Sequence, residues 1–288
     1  MRFVSFFQDG KSCLGVVKDD RVLNLSVTSP DLPQDLLSLL QAGDDAMAKV
    51  AQVADEASTD NMLELDGLDY DLPIKGSGKI ICLGLNYAKH AAEGGFEPPD
   101  FPIVFLRTPT SLVAHGHEML KPIASNTFDY EAELVAVIGK TAHHVSTEDA
   151  LDYVAGYSCF NDGSIREYQR WTSQWTLGKN FDKTGGFGPV FVTADELPAG
   201  CKGLKLESRL NGRVMQSANT DQMIFPVAET INILSRCMTL EPGDVLVTGT
   251  CEGVGFARNP PVWMKQGDTI EIEIEGIGTL VNPIADEV

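Results

Sequence analysis

Positive charge is scarce in this chain of 288 residues. Its 22 lysine and arginine side chains stand against 41 aspartates and glutamates, which leaves a formal net charge of −19 at pH 7. Such a charge repels nucleic acid and anionic membrane surfaces, so the composition argues against both as partners. An anionic substrate is repelled as well. Any acidic substrate would therefore need a local positive group, supplied by a metal ion, a lysine or an arginine.

Cysteine is also sparse, and no pair is spaced as CxxC or as zinc ligands. We therefore expect reduced, mostly buried thiols in a cytoplasmic protein. The first residues become polar too soon for a signal peptide. No apolar run approaches the length that a bilayer span requires. The six cysteines are Cys13, Cys82, Cys159, Cys201, Cys237 and Cys251.

Residues 1–72 are predicted to form a small N-terminal α/β module. Three short strands are expected within Arg2–Phe7, Ser12–Val17 and Arg21–Leu25, because turn residues separate these apolar runs. One or two helices are expected between Leu36 and Ala57, where apolar residues recur at helical spacing. Residues 72–78, rich in glycine and proline, are a candidate linker. Nothing in this module suggests chemistry.

Residues 78–288 are predicted to form a second, strand-rich domain. Short apolar runs recur there between glycine and proline turns, with few helices, so the fold class is α+β rather than repeated βαβ units. Ser146 with Asp149 three residues later predicts a helix start. A second helix is expected over Pro226–Met238. The strand Thr269–Glu275 alternates strictly, so its glutamates are expected on a solvated face.

An acidic constellation in this second domain is the strongest functional signal. Glu131 and Glu133 lie two apart in an apolar run, so on a strand both side chains point to one face. Adjacent carboxylates repel each other unless a proton or a cation lies between them. Asp162 ends another apolar run. Three carboxylates with room for water suit Mg²⁺ or Mn²⁺, although a solvated face is the alternative for Glu-x-Glu alone.

Three further clusters contain residues suited to chemistry. His90 and Glu93 are three apart, so on a helical turn they can pair as a general-base dyad, with a surface pair as the alternative. Lys179 lies in a glycine-flanked segment and could neutralise carboxylates or hold a substrate carboxylate, with a surface lysine as the alternative. Arg166 could bind a substrate carboxylate, or pair with nearby acids.

A glycine-rich turn follows the apolar run that ends at Thr250, and it could offer backbone N–H groups to an anion. The turn is not followed by a helix with an acidic residue further on, as the dinucleotide-binding fingerprint requires, which disfavours a nucleotide-binding enzyme. Four of the histidines are assigned as non-ligands, because no third ligand stands at zinc-like spacing. They are His115, His117, His143 and His144.

In order along residues 78–285, these motifs resemble the fumarylacetoacetate hydrolase family. The N-terminal module looks like the small extra domain of bacterial members. The chain departs from common family patterns at Gly163–Glu167, at Cys251 and at Arg107, where many members have lysine. The motifs are Gly84–Tyr87 with His90 and Glu93, Asp129–Leu134, Gly156–Asp162, Gly178–Asp182, Val247–Thr250 with Gly253–Gly255, and Gly276–Pro283.

The resemblance implies a fold, a metal and roles for the residues. It implies a mixed β-sandwich or β-roll catalytic domain, a homodimer, and one Mg²⁺ or Mn²⁺ per chain held by Glu131, Glu133 and Asp162. His90 and Glu93 would act on a lid, with Lys179 beside the metal. The residues expected at the substrate are Arg166, Gln169, Thr250 and Arg107, with Phe96, Trp171, Trp175 and Phe187 as candidate tail contacts.

The predicted activity is metal-dependent hydrolysis of a carbon–carbon bond in a 2,4-diketo acid, such as an acylpyruvate, to give pyruvate and a second acid. An enolate-stabilising metal site could instead decarboxylate oxaloacetate or a related β-keto acid, or isomerise or hydrate a dienoate. A non-catalytic, metal-stabilised binding protein is the alternative from another class. The pair His90 and Glu93 argues against it, because a structural site needs no base.

Overall fold

The computed structural model describes residues 1–58 and 62–288. The helices of this part of the chain are α1 (Leu25–Thr28), α2 (Leu36–Ala42), α3 (Asp44–Glu56), α4 (Ala88–Glu93), α5 (Arg166–Gln169), α6 (Thr176–Lys179) and α7 (Val227–Cys237). The strands are β1 (Arg2–Gln8), β2 (Lys11–Lys18), β3 (Arg21–Asn24), β4 (Leu63–Glu64), β5 (Asp69–Tyr70), β6 (Ile80–Gly84), β7 (Ile103–Leu106), β8 (Leu112–Ala114), β9 (Met119–Lys121), β10 (Phe128–Asp129), β11 (Ala132–Ile138), β12 (Val154–Asp162), β13 (Ser164–Ile165), β14 (Gly185–Thr193), β15 (Lys205–Leu210), β16 (Arg213–Asn219), β17 (Val245–Thr250), β18 (Thr269–Ile274) and β19 (Gly278–Asp286).

The N-terminal segment contains the three expected strands, and the region predicted to hold one or two helices forms two, α2 and α3. Strand β1 pairs antiparallel with β2, and β2 with β3. Helix α2 begins after Asp35, whose side chain accepts a hydrogen bond from Ser38 N at 2.9 Å, a standard N-cap. Gly43 lies between α2 and α3 with φ of 82°. Because that conformation favours glycine, the helical pattern divides there into two helices.

A large sheet joins the N-terminal strands to those of the second half. Its order is β4-β3-β2-β1-β14-β12-β11-β17-β6-β7, with β5 also on β1 and β8 also on β14. The junction is the antiparallel pair of β1 with β14, where Arg2 lies opposite Val192. The first strands therefore extend the main sheet rather than form a separate one. The boundary at residues 72–78 stays a prediction.

Two apolar cores lie on the two faces of this sheet. In β11, Leu134 and Ala136 belong to the core that includes Ile270 and Ile272 of β18. Strand β18 is part of a five-stranded sheet of order β16-β15-β18-β19-β9. Val135 of β11 belongs to the other core, with residues of α2 and α3. Strand β11 is therefore buried on both faces, in a strand-rich α+β fold as predicted.

Two predicted helices have different outcomes. The segment Pro226–Met238 forms α7, with these two residues as its caps. At the other predicted start, Ser146 Oγ accepts a hydrogen bond from Asp149 N at 3.2 Å. However, only a 3₁₀ turn over Ala150–Tyr153 follows. The physical reason is that strand β12 begins at Val154, which leaves room for a single turn.

Candidate active site

Neighbouring strands bring the three predicted metal ligands together. Strands β11 and β12 run antiparallel, with Glu133 opposite Phe160, and Asp162 N donates to Glu131 O at 2.9 Å. Carboxylate oxygens of Glu131, Glu133 and Asp162 all lie within 4.8 Å of one another. These residues are only 4%, 1% and 0% exposed. The acidic pair therefore does not lie on a solvated strand face.

Three cations surround two of these carboxylates. Lys179 Nζ lies 2.6 Å from Glu131 Oε2 and 2.7 Å from Asp162 Oδ2. Arg166 Nη1 lies 2.7 Å from the other oxygen of Glu131, and Arg107 pairs with the other oxygen of Asp162. Burial alone would raise the pKa of Glu131, but Lys179 and Arg166 lower it to about 2. Glu131 and Asp162 are thus compensated by protein cations.

Glu133 has no cation partner among the described residues. Its carboxylate accepts a hydrogen bond from Gly249 N. Burial, together with the nearby Asp162 and Glu131, raises the pKa of Glu133 well above its usual value. A buried carboxylate held ionised needs a counter-charge. The position beside Glu133, with three oxygen donors in reach, therefore suits a hard divalent cation, and Mg²⁺ and Mn²⁺ both accept such ligands.

Helix α4 positions the predicted base. His90 Nδ1 lies 2.8 Å from Glu93 Oε1, as the spacing of three residues on one helical turn predicts. The second oxygen of Glu93 accepts a hydrogen bond from Gly253 N at 2.8 Å. Glu93 therefore holds both the imidazole and the glycine-rich turn. With Nδ1 bound to the carboxylate, Nε2 of His90 is the nitrogen available for proton transfer.

Arg166 offers a free donor beside the acidic trio, which is Glu131, Glu133 and Asp162. Its Nε donates to Asp129 Oδ2 at 2.7 Å, and its Nη1 donates to Gln169 Oε1 at 2.9 Å. The remaining nitrogen, Nη2, is buried without a hydrogen-bond partner in the described structure. A buried guanidinium N–H without an acceptor costs free energy. An anion in the pocket, such as a carboxylate, would supply that acceptor.

A single narrow pocket connects these groups. The centres of water molecules can occupy a volume of about 60 Å³ within it. Phe96 and Trp175, two of the four candidate tail contacts, also line it, whereas Phe187 is core and Trp171 lies outside its lining. The predicted site residues that line it are His90, Glu131, Glu133, Arg166, Gln169, Lys179 and Thr250.

Two residues predicted at the substrate have other partners. Arg107, whose side chain is fully buried, donates to Ser111 Oγ at 3.1 Å and to Thr184 Oγ1 at 2.9 Å, besides its pair with Asp162. It lies behind Asp162 and does not line the pocket, which differs from the predicted contact with substrate. Thr250 Oγ1 donates to Ala132 O at 2.9 Å, so its hydroxyl proton is already used.

The order of the motifs and this geometry agree with a comparison against known families. Residues 79–285 match the family model described as fumarylacetoacetate (FAA) hydrolase, C-terminal. The chain belongs to the fumarylacetoacetate hydrolase family. This match covers more than half of the chain, so the family resemblance of the sequence motifs is confirmed.

Curated members of the fumarylacetoacetate hydrolase family resemble nearly the whole chain. The fumarylacetoacetate hydrolase domain-containing protein 2 homolog of Dictyostelium discoideum is 39% identical, over 94% of this chain and 92% of the relative. The mitochondrial oxaloacetate tautomerase Fahd2a of Rattus norvegicus is 38% identical, over 91% of this chain and 83% of the relative. The chain is thus similar to enzymes of this family over both of its predicted domains.

A solved structure of a family member has the same fold. Maleylpyruvate hydrolase from Sphingobium sp. SYK-6, in complex with manganese(II) ion and pyruvate, superposes with a TM-score of 0.82, with 26% identity and full coverage of both chains. No helix of residues 1–58 and 62–288 is long and apolar enough to cross a membrane. The homodimer and the cytoplasmic location stay predictions.

Several residues that form hydrogen bonds to the site residues were not predicted from the sequence. Asp129 accepts from Gly255 N at 2.7 Å and Phe256 N at 3.0 Å as well as from Arg166. Gln216 Nε2 donates to Thr250 Oγ1 at 2.8 Å. The place of Asp129 in the acidic motif was a usable signal, because it lies two residues before Glu131. Gln216 carries no such signal, since it lies 34 residues from Thr250.

Asn86 is another such support, at the start of the segment that leads to α4. It donates to Thr248 O at 2.7 Å and accepts from Phe225 N at 2.7 Å. Beside it, Gly249 adopts φ of 90°, and a Cβ there would lie 2.7 Å from Asn86 Cβ. Glycine is therefore required where the backbone turns toward Glu133.

The four histidines predicted not to bind a metal have other contacts outside this site. His115 accepts a hydrogen bond from Val281 N, and His117 lies 3.1 Å from Asp69. The rings of His143 and His144 contact each other. Within the described part of the chain, the acidic trio is the only group of three or more His, Cys, Asp or Glu residues placed to hold a metal. The histidines thus give no second candidate centre.

Proposed function

We propose that this member of the fumarylacetoacetate hydrolase family interconverts the enol and keto forms of a small 2-oxo acid, with oxaloacetate as the first substrate to test. The observation behind the proposal is the His90–Glu93 pair, whose Nδ1–Oε1 distance is 2.8 Å. His90 lines the same narrow pocket as Glu131 and Glu133. A tautomerase needs one base that relocates one proton. The similarity to a curated oxaloacetate tautomerase, 38% over 91% of this chain, supports this choice of reaction.

The residues of the site have different roles in such a reaction. Glu131, Glu133 and Asp162 would hold a divalent cation, which when bound would polarise the 2-oxo group as a Lewis acid. The free Nη2 of Arg166 receives the adjacent carboxylate of the substrate. Lys179 offsets negative charge, since its Nζ already contacts two of the carboxylates.

His90 moves the proton in this scheme. Glu93 holds Nδ1, so Nε2 takes the hydroxyl proton of the enol and delivers it to carbon 3, which gives the ketone. The reverse path removes the carbon proton. Atoms and charge balance, because a single proton changes place and no co-reactant is needed. The small volume of the pocket suits a compact acid.

Hydrolysis of an acylpyruvate is the second candidate. The structural neighbour that binds manganese and pyruvate is named as a maleylpyruvate hydrolase, and this similarity favours the class. In that reaction His90 would deprotonate a water that attacks the distal carbonyl. Decarboxylation of oxaloacetate and isomerisation of a dienoate use the same groups, and they stay alternatives.

One panel of assays separates these reactions. Freshly dissolved enol-oxaloacetate is followed by the loss of its ultraviolet absorbance, with Mn²⁺ or Mg²⁺ and with EDTA. Pyruvate release is measured in parallel from oxaloacetate, acetylpyruvate and fumarylpyruvate. Metal-dependent loss of enol without pyruvate is the expected result. Pyruvate from the acylpyruvates would establish the hydrolase, and pyruvate from oxaloacetate would establish a decarboxylase. No turnover in any assay would reject catalysis on this panel.

The dyad is tested by His90→Ala. Loss of a general base costs about 10²–10⁴-fold in rate, and we expect a loss in this range for the enol assay. The matched control is Lys89→Gln on the same helix, because Lys89 is exposed and its ion pair within the described part of the chain is with Glu252, at 3.3 Å. Turnover by His90→Ala within about threefold of the wild type would exclude His90 as the base.

A further inference from the structure

A second arginine stands beside Arg166 at the same pocket. Arg170 caps the end of α5, with its backbone N–H 3.2 Å from Arg166 O. Residues four apart on a helical turn lie on one side. Both guanidinium groups accordingly contact one aromatic ring, with Arg166 Cζ 4.6 Å and Arg170 Cζ 4.5 Å from the centroid of Phe256. Arg170 and Phe256 line the pocket together with the acidic trio's glutamates.

The two arginines differ in their partners. Arg166 is bound by Asp129, Glu131 and Gln169. The side chain of Arg170 has no carboxylate within ion-pair distance among the described residues, and it stacks on Phe256 instead. The neighbouring Glu167 is engaged by Thr127 Oγ1. Of the two arginines that line the pocket, only Arg166 is paired with carboxylates.

The surroundings of Arg170 favour an added anion. Arg170 is an exposed residue. Partial burial of its guanidinium, and then the Arg166 cation, lower the pKa of Arg170, although Asp129 opposes this shift. Two adjacent guanidinium groups on one ring repel each other, and a carboxylate near Arg170 would offset that repulsion. A planar guanidinium also suits bidentate binding of a carboxylate.

We propose that Arg170 binds the second carboxylate of a dicarboxylic 2-oxo acid, so that this residue sets a preference for diacids over monoacids. The inference rests on the proposed function for the position of the first carboxylate at Arg166. One end of the substrate then lies at Arg166 and the acidic trio, and the other lies one helical turn away at Arg170. Phe256 contacts both guanidinium groups and also lines the pocket.

The test is binding of two unreactive acids in the presence of saturating Mn²⁺. Malate and lactate are both 2-hydroxy acids, but only malate has a second carboxylate. Affinities are measured by calorimetry for the wild type, Arg170→Gln, Arg170→Lys and a charge-matched control, Arg213→Gln. Arg213 is an exposed residue of β16 outside the pocket lining. Its replacement changes the net charge of the chain by the same amount.

We expect the wild type to bind malate about tenfold or more tightly than lactate, the size of a hydrogen-bonded charge pair. Arg170→Gln should remove most of this preference without weakening lactate binding, Arg170→Lys should keep part of it, and Arg213→Gln should match the wild type. An unchanged malate preference in Arg170→Gln would overturn the proposal. So would an equal loss for malate and lactate, since that marks a structural role, or a wild type that does not prefer malate.

A kinetic measurement tests the role of Arg170 independently. The ratio of kcat/KM for enol-oxaloacetate to that for its 4-methyl ester should fall about tenfold in Arg170→Gln. If the wild type turns over neither compound, yet its malate preference depends on Arg170, the diacid site stands and the proposed reaction fails. If turnover is normal and the ratio does not change, the reaction stands and the role of Arg170 fails.

Discussion

At the scale of single residues, two glutamates of similar burial have opposite electrostatic situations. Glu131 lies between Lys179 and Arg166, at 2.6 and 2.7 Å, and its pKa is lowered to about 2 although burial opposes this. Glu133 accepts a backbone N–H from Gly249 and faces the other two carboxylates, which raise its pKa together with burial. Its charge is thus the one that a bound cation would compensate.

Glu133→Gln should therefore have opposite effects with and without metal. Without metal, the variant should be more stable than the wild type by about 1–3 kcal/mol, because folding of the wild type must either bury the Glu133 charge without an ion-pair partner or add a proton to it. The glutamine oxygen can still accept from Gly249 N. With Mn²⁺, the variant should lose most of the stabilisation that the wild type gains. Thermal unfolding in EDTA and in Mn²⁺ measures both effects.

Glu131→Gln is the matched comparison for that experiment. It leaves Lys179 with Asp162 and Arg166 with Asp129, but it removes the carboxylate that both cations share, so we expect a loss of about 3–5 kcal/mol without metal. Equal destabilisation by both substitutions in EDTA would contradict the assignment of Glu133 as the uncompensated carboxylate.

At the scale of elements, the site depends on a close approach of two short helices. Helix α5 carries Arg166 and Gln169, and helix α6 carries Lys179. They meet at Gly178, where an added Cβ would lie 2.3 Å from Gln169 N and 2.5 Å from Gln169 Cα. Both atoms belong to backbone, which cannot rotate away. The size of glycine, rather than its backbone freedom, is what this contact requires.

Gly178→Ala should separate α6 from α5. We expect a loss of about 1–3 kcal/mol from overpacking, and weaker metal-dependent turnover because Lys179 moves with its helix. Denaturant unfolding and the enol assay measure the two effects. The control is Leu177→Ala, since Leu177 is 55% exposed and should change stability by less than about 0.5 kcal/mol. If Gly178→Ala has the stability and turnover of the wild type, the close approach of α5 and α6 is not required.

At the scale of the whole molecule, three distant parts of the chain meet at His115. Its ring lies 4.5 Å from that of Tyr70 in the N-terminal segment, and its Nδ1 accepts from Val281 N in β19 at 3.0 Å. Burial, and then His117, lower the pKa of His115 from 6.5 to about 4. The folded protein therefore holds this imidazole neutral at a pH where the unfolded chain is protonated.

This contact predicts a pH dependence of stability. A lowered histidine pKa means that the unfolded state binds more protons between pH 6.5 and about 4, so its contribution to stability is present above pH 6.5 and is lost as the pH falls through that window. We expect the stability of His115→Asn, whose amide oxygen can still accept from Val281 N, to change by about 2 kcal/mol less between pH 5 and pH 7 than that of the wild type. Denaturant unfolding at pH 5 and pH 7 measures this difference.

The control for the pH experiment is His144→Asn. His144 is exposed and has φ of 54°, which asparagine adopts readily. This variant should keep the wild-type pH dependence. An equal change in both variants, or none in His115→Asn, would remove His115 as the source of the effect.

Local patterns predicted much of this molecule. Alternation along a strand placed Glu131 and Glu133 together, and the spacing of three placed His90 beside Glu93. The three N-terminal strands and helix α7 followed from apolar periodicity in the same way. These features depend on residues within one helix or strand, whose geometry is regular. They can therefore be predicted without knowing which other elements pack against it.

The tertiary structure alone decided the contacts between elements. The approach of Lys179 to Glu131 spans 48 residues, and that of Arg107 to Asp162 spans 55, so each depends on the register of several strands. The same holds for Asp129 beneath Arg166 and for Arg170 against Phe256. The residue types in the sequence determined which chemical groups were present. Which carboxylate would lack a cation, and which arginine would lack an anion, was settled only by packing, because charge compensation depends on distances in space.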